Sequence, residues 1–322
     1  MSALGACGGA GGSGSDTEDG VVLGPSRFES ITNAALVVGA ESGTFDTCGL
    51  DVELKAAGGG GNSVQALESG AIDFIMPSLS AVIPGFQKGA NIVVVAGDSV
   101  GTNGMAWLVP KDSPLQSVED LAGKKASVSA INSNTDASLQ SVLRANDVDP
   151  DDVERVVIAE VGAGLAALAS GTVDAVWATE PSVTLFEQTG DVRVLFRTDD
   201  FIPEFQLTVL ATRKDLAEED PELVEDVVDC LRTTREAARA DIEGVGTAFA
   251  ESAKLEPDVA VDVLKRSIGN DEDSLDLNVP GIQAALDAAT LSGLVPADTT
   301  LTDLSDLWMP ADGVEIVGGS LN

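Results

Sequence analysis

Ala66-Leu67-Glu68-Ser69-Gly70-Ala71-Ile72-Asp73-Phe74-Ile75-Met76 and Ala167-Leu168-Ala169-Ser170-Gly171-Thr172-Val173-Asp174-Ala175-Val176-Trp177 are two copies of one device. In each, an apolar helix ends at a Ser-Gly pair, glycine takes the left-handed position just past the helix, and an Ile or Val followed by Asp leads into a buried strand. A chain that uses this unit twice is expected to carry two similar α/β lobes. Two such lobes leave a cleft between them, and that is where a ligand is expected.

Composition narrows what the cleft can do. The 322 residues exceed the usual size of a single core, and 44% hydrophobic content is ample for two lobes. A formal charge of -35, from 53 acidic and 18 basic residues, argues against nucleic acid or an anionic membrane surface as a partner. An acidic substrate is compatible with it, because local amides and one arginine override a distant field. The acidity fits a salt-rich habitat, where screening shortens the reach of like-charge repulsion, and equally an acidic proteome elsewhere. The sequence contains no histidine. That removes Ser-His-Asp and Cys-His catalysis and the commonest zinc ligand, and leaves only carboxylate, lysine or lone-cysteine mechanisms. Tyrosine is absent as well, so phenolic acids and aromatic cages have little material.

At the start of the chain, Leu4-Gly5-Ala6-Cys7 matches the pattern that precedes lipid-modified cysteines in exported proteins, and a Gly/Ser tether runs from Gly8 to Ser15. Met1 to Ala6 is too short to supply a charged start and an apolar segment, so a start further upstream and an unmodified Cys7 in a tail are both open readings. No later run of eighteen apolar residues occurs, and the body is read as soluble. Cys48 lies in a turn before a strand. Cys230 lies on a helix from Pro221 to about Ile242, on the face of Leu223, Val227, Leu231 and Thr234. The two form a disulfide or stand as two isolated apolar residues.

Alternating elements continue outward from the repeat. Strands are expected at Gly20 to Pro25, Leu50 to Ala56, Ile72 to Met76 and Ile92 to Ala96. Between them come helices at Ser30 to Glu41, capped by Ser30 or Thr32, at Asn62 to Ser69, and after Ser78 up to Lys88. The chain then crosses to a second lobe over Gly97 to Lys111. There a helix around Val118 to Ala122 precedes strands at Lys125 to Ser129, Val156 to Ile158 and Val173 to Ala178, with helices at Ala137 to Asn146 and Gly164 to Ser170. Phe205 to Thr212 returns the chain to the first lobe, and the remainder to about Leu307 is mostly helical, broken at Pro257, Pro280 and Pro296.

The order Ser42-Gly43-Thr44-Phe45, Gly49-Leu50-Asp51-Val52-Glu53-Leu54, the Ser69-Gly70 unit, Ser117 to Lys125, then Ala178-Thr179-Glu180-Pro181 resembles the solute-binding proteins of ABC importers for nitrate, sulfonates, taurine and pyrimidine precursors. The likeness runs from about Val21 to Pro310. It implies a type II periplasmic-binding-protein fold, α/β in class, with two lobes of mainly parallel sheet flanked by helices and two crossing strands as the hinge. On that basis residues 1–19 are a lipoprotein-like tether, 20–104 with 205–322 form the first lobe, and 105–204 the second. The resemblance further implies a monomer outside the cytoplasmic membrane, anchored through Cys7, that closes on a small solute and delivers it to a membrane permease, with no cofactor. The leading solute is a small anion; a pyrimidine-like heterocycle is the alternative. Enzymes of the same family depend on histidine or clustered cysteines, which this chain lacks.

Related proteins bind solute with loops that follow strands, and the matching positions here can be read chemically. Gly60, Gly61, Asn62 and Ser63 lead into a helix whose N–H groups can hold an anionic head group, or they serve as a flexible connector. Ser78 and Ser80 are caps or ligand contacts. Asn132, Ser133, Asn134 and Thr135 form a polar run longer than capping alone requires. Arg27 is a bidentate partner for a sulfonate or carboxylate, or a surface arginine paired with Glu29. Phe28 and Phe205 are candidates for contact with a ring, Glu180 is a rim or hinge residue, and Trp177 is expected in a core. The clusters at Asp149 to Asp152 and Asn270 to Asp273 lack the ordered spacing and glycine of a calcium loop, so no metal site is expected.

Overall fold

The computed structural model describes residues 20–26, 28, 30–58, 61–102, 104–131, 133–202, 204–268 and 274–321. Cys7 and the tether, Arg27, Gly60, Asn132 and the 270–273 cluster lie outside these, so the expectations placed on them have no structural counterpart.

The chain opens with β1 (Val21–Pro25), α1 (Ala34–Glu41), α2 (Thr44–Cys48), β2 (Val52–Leu54), α3 (Gly61–Glu68), β3 (Phe74–Met76), α4 (Leu79–Gln87) and β4 (Val93–Val100). It crosses into β5 (Ala106–Pro110), β6 (Lys125–Val128), α5 (Asn134–Ala145), β7 (Glu154–Val157), α6 (Val161–Ala169), β8 (Val176–Ala178), α7 (Ser182–Gln188) and β9 (Val192–Arg197). β10 (Gln206–Thr212) returns, followed by α8 (Lys214–Glu219), α9 (Pro221–Ala240), α10 (Ile242–Ala253), α11 (Pro257–Ile268), β11 (Leu277–Asn278), α12 (Val279–Leu291) and β12 (Ile316–Val317).

Both copies of the repeat fold alike. Gly70 and Gly171 have φ of 72° and 70°. Ala71 N–H donates to Ala66 O at 3.1 Å and Gly70 N–H to Leu67 O at 3.0 Å; Thr172 N–H to Ala167 O (2.9 Å) and Gly171 N–H to Leu168 O (3.1 Å) repeat the pattern. This paired closure satisfies the last carbonyls of each helix and needs a left-handed residue at its corner. The aspartate of each copy then fixes the neighbouring strand. Asp73 Oδ2 accepts Val22 N–H at 3.0 Å, and Asp174 Oδ2 accepts Lys125 N–H at 2.8 Å.

The strands that these units deliver sit at the centre of matching sheets. The first has the order β2-β1-β3-β10-β4. In the second, β7-β6 and β8-β5-β9 are joined by a parallel bridge between Ala126 and Ala175. Each sheet has one parallel side and one antiparallel side, because β10 and β5, arriving from the opposite lobe, run against the strands they join. The parallel share is therefore about half. Both faces of each sheet are covered: Val93 and Val95 pack on one side of β4 and Val94 on the other, while Trp107 and Leu108 divide likewise on β5. Such strands read as continuous apolar runs rather than alternations.

Local departures from expectation have identifiable causes. Neither Ser30 nor Thr32 caps the first helix; a 3-10 turn at Ile31–Asn33 precedes it, and the two hydroxyls bond each other at 2.8 Å. The expected helix near Val118 is a single 3-10 turn, Glu119–Leu121. Pro257 and Pro280 stand in the first turns of α11 and α12, where a missing N–H costs nothing. Cys48 and Cys230 form a disulfide that ties α2 to α9, with Cα atoms 5.7 Å apart.

Candidate functional site

A cavity of about 730 Å³ lies where the lobes face each other. From the first lobe it takes residues of α3 and α4, with Ser78; from the second it takes Ser129, at the end of β6, and Ser133 and Asn134, at the start of α5. The first turns of α4 and α5 both border it, so the positive ends of two helices meet there.

The second-lobe wall is built from hydroxyls. Ser133 is the N-cap of α5 and accepts Asp136 N–H at 3.4 Å. Ser129, Ser133 and Thr135 place their oxygens 2.9 to 3.0 Å apart, and Thr135 Oγ1 also accepts Ser129 N–H at 2.8 Å. This triangle fixes the turn between strand and helix. Behind it the fully buried carboxylate of Asp136 meets Arg155 Nη1 at 3.0 Å. The guanidinium offsets the charge that Asp136 would otherwise bring to the α5 N-terminus. Asn134 is left at the front, and its Oδ1 accepts Ser80 Oγ–H at 2.6 Å, a hydrogen bond from one lobe to the other.

The first-lobe wall is pinned to the hinge. Ser78 bridges Thr208 of β10, whose hydroxyl donates to Asp98 Oδ2 at 2.6 Å on β4. Asp98 is also paired with Arg235 of α9, both nearly excluded from solvent. The end of β3 and both crossing strands are thereby tied together. On the opposite side of the hinge, Asp199 Oδ1 accepts the N–H and the hydroxyl of Thr102 at 2.8 and 2.6 Å. Burial pushes the Asp199 carboxyl above the ordinary aspartate range, with the Thr102 hydrogen bonds opposing the shift.

Of the residues singled out from sequence, Gly61, Ser78, Ser80, Ser133 and Asn134 come together around the cavity. Thr135 supports them from within the hydroxyl triangle. Ser78 holds the N-cap position of α4, yet its side chain caps nothing. Asn62 is exposed on α3 and Ser63 is buried at 1% exposure, and neither lines the cavity. Phe28 is half-buried and outside the lining. Phe205 is a correction: it packs in the first-lobe core at 4% exposure, while its carbonyl accepts Gly101 N–H from the other crossing segment. Glu180 is turned away too. It accepts the N–H and hydroxyl of Thr184 at 3.1 and 2.8 Å and pairs with Arg197 at 3.5 Å. Trp177 lies in the second-lobe core and donates to Ile158 O.

Sequence reasoning missed Ser129, Gln65, Glu68 and Lys88. The signal was present: Gly61, Val64, Gln65 and Glu68 on α3, and Ala81, Pro84 and Gly85 on α4 with Lys88 just past its end, are two stripes at i, i+3, i+4, i+7. Among the described residues there is no cluster of three or more metal-ligating side chains, and no helix is long and apolar enough to cross a membrane.

Two α/β lobes joined by paired crossing strands around one cleft define the periplasmic-binding-protein fold. The chain belongs to the NMT1/THI5-like family, whose model matches residues 31–243. Solved structures agree with the fold. The periplasmic aliphatic sulphonate binding protein SsuA of Escherichia coli is 19% identical, with a TM-score of 0.73 over 94% of this chain and 95% of that one. The alkanesulfonate-binding protein SsuA of Xanthomonas axonopodis pv. citri, bound to MOPS, is 20% identical with a TM-score of 0.67, covering 86% and 94%. A conserved Candida albicans gene product described as having the generic periplasmic binding protein fold is 14% identical with a TM-score of 0.68, covering 94% and 99%. No curated protein matches by sequence.

Proposed function

We propose that this protein is the extracytoplasmic receptor of an ABC importer, a monomer held at the membrane through Cys7, and that it closes its lobes on a small organic anion and passes it to the permease. The observation that carries the reading is the convergence of the α4 and α5 N-termini, with Ser78, Ser80, Ser129, Ser133 and Asn134, on one inter-lobe cavity. Neutral donors and helix-terminal amides recognise an anion without a buried countercharge. The sulfonate ligands named for two structural relatives support the same class. A heterocycle is less well served, since Trp177 and Phe205 are committed to cores and the described lining holds no aromatic side chain. A cysteine-based reaction has no support either: Cys48 and Cys230 are bridged and lie away from the cavity.

The test is a thermal-shift screen of the purified protein against nitrate, taurine, alkanesulfonates, bicarbonate and pyrimidines. Ligand that binds only the folded state at about 100 times its Kd stabilises by about 2.7 kcal/mol. At least one organic anion is expected to raise the Tm. A rise with a pyrimidine alone would replace the anion reading.

A further inference from the structure

We propose that Thr208 and Asp98, on the two crossing strands, are positioning residues for the solute site: neither borders the cavity, and together they hold the Ser78 hydroxyl where an anion meets it. This rests on the receptor reading above and names the part of the hinge on which recognition depends.

The Ser78 hydroxyl borders the cavity and makes no capping bond to α4. The usual side-chain tie between a helix and its lead-in turn is therefore missing. Ser80 donates to Asn134 Oδ1 at 2.6 Å and lies 3.2 Å from Ser78 Oγ, which leaves the Ser78 O–H to be given to an anion. The turn is fixed instead from β10. Ser78 forms an antiparallel bridge with Thr208, and Val209 N–H donates to Pro77 O at 3.1 Å.

β10 is itself irregular at this point. Its register against β4 shifts between Gln206 and Thr208 and again between Thr208 and Val209. A broken ladder does not define where Thr208 sits, and side chains take over that task. Thr208 O–H donates to Asp98 Oδ2 at 2.6 Å, while the Gln206 amide donates to Thr208 O at 2.9 Å and to Ser99 O at 3.2 Å. Asp98 is held in turn by Arg235, which donates to its carbonyl at 3.0 Å and pairs with its carboxylate.

The buried pair points to position rather than stability. Two charges taken this far from water give up hydration that their attraction barely repays, so such a pair adds little over apolar residues of the same volume. What it supplies is direction: an ionised carboxylate only accepts hydrogen bonds, and the Thr208 hydrogen is committed to it.

The experiment is calorimetric titration of the full chain with ethanesulfonate and hexanesulfonate, with the Tm of each variant measured alongside. Thr208→Val keeps the branched shape without the hydroxyl and is expected to weaken binding roughly fivefold, the value of one hydrogen bond; Thr208→Ser is expected to restore it. Asp98→Ala is expected to weaken binding likewise, and Thr208→Val reports on the pair should that variant fail to fold. In a Ser78→Ala background Thr208→Val is expected to cost less than about twofold, because the hydroxyl it positions is gone. Thr212→Val removes a buried hydroxyl bonded to Asp73 O at 2.7 Å, further along the same strand, and is expected to lower the Tm with affinity unchanged. Unchanged affinity in Thr208→Val, no rescue by serine, an equal loss in Thr212→Val, or losses from Thr208→Val and Ser78→Ala that multiply would overturn the positioning role and leave the receptor standing. Failure of both sulfonates to bind the unaltered protein would overturn the organic-anion reading, and the positioning role with it.

Discussion

Asn134 joins the two lobes through a single side chain. Its partner Ser80 is already hydrogen-bonded across the cleft at 2.6 Å, so a bound anion joins an existing polar contact rather than an isolated donor. Asn134→Ala is expected to weaken anion binding roughly tenfold, the value of one hydrogen bond to a charged group, measurable by calorimetry. Asp199 gives a pH prediction. Its folded pKa is raised, so its protonated form is favoured by folding, and that contribution is complete below the unfolded aspartate range and lost as pH rises through the folded value. Asp199→Asn keeps an acceptor for Thr102 and is expected to raise the Tm at neutral pH but not near pH 3 to 4, the range of an unperturbed aspartate. Ser133 and Asn134 were legible because capping needs one residue and the chain spends several polar ones there. Phe205 was not, because an alternating strand does not say which face meets the core. Glu68 and Lys88 were hidden for a similar reason: a helical stripe that lines a groove has the same spacing as one that is merely solvated.

At the scale of elements, the repeated unit explains why two sheets of the same order arise from dissimilar sequences. Its glycine and aspartate do separate work: Gly70 and Gly171 turn the chain at positive φ, and Asp73 and Asp174 fasten the adjacent strand. Gly171→Ala is expected to destabilise by about 1–2 kcal/mol, the cost of a left-handed conformation at a residue with Cβ. An unchanged denaturation midpoint would show that the turn relaxes at no cost. These elements were legible because helix period, Ser-Gly stop and apolar strand follow in fixed order. β9 and α7 went unread. β9 is an edge strand whose Arg193 and Arg197 reach polar partners on other segments, and that dilutes its apolar signal. The antiparallel half of each sheet was equally hidden, because strand direction depends on how the chain recrosses between lobes.

At the scale of the molecule, two features govern stability. The Cys48–Cys230 disulfide closes a sequence separation of 182 residues within the first lobe. Constraining so long a loop in the unfolded chain contributes about 5 kcal/mol in the chain-entropy model. Reduction, or Cys48→Ser with Cys230→Ser, is expected to lower the Tm markedly by calorimetry while leaving anion recognition in place, since neither sulfur borders the cavity. The charge of -35 makes a second prediction. Raising sodium chloride from 0.1 to 1 M shortens the screening length from about 10 to 3 Å, and the Tm is expected to rise across that range. A falling Tm would mean that specific ion pairs, not net repulsion, dominate.

The central claim is that an organic anion is held between the first turns of α4 and α5. A crystal structure of the protein grown with hexanesulfonate tests it most directly. The sulfonate oxygens are expected within about 3 Å of Ser80, Asn134 and the adjacent backbone N–H groups. A sulfonate bound elsewhere on the protein, with this cleft empty or closed without it, would contradict the account.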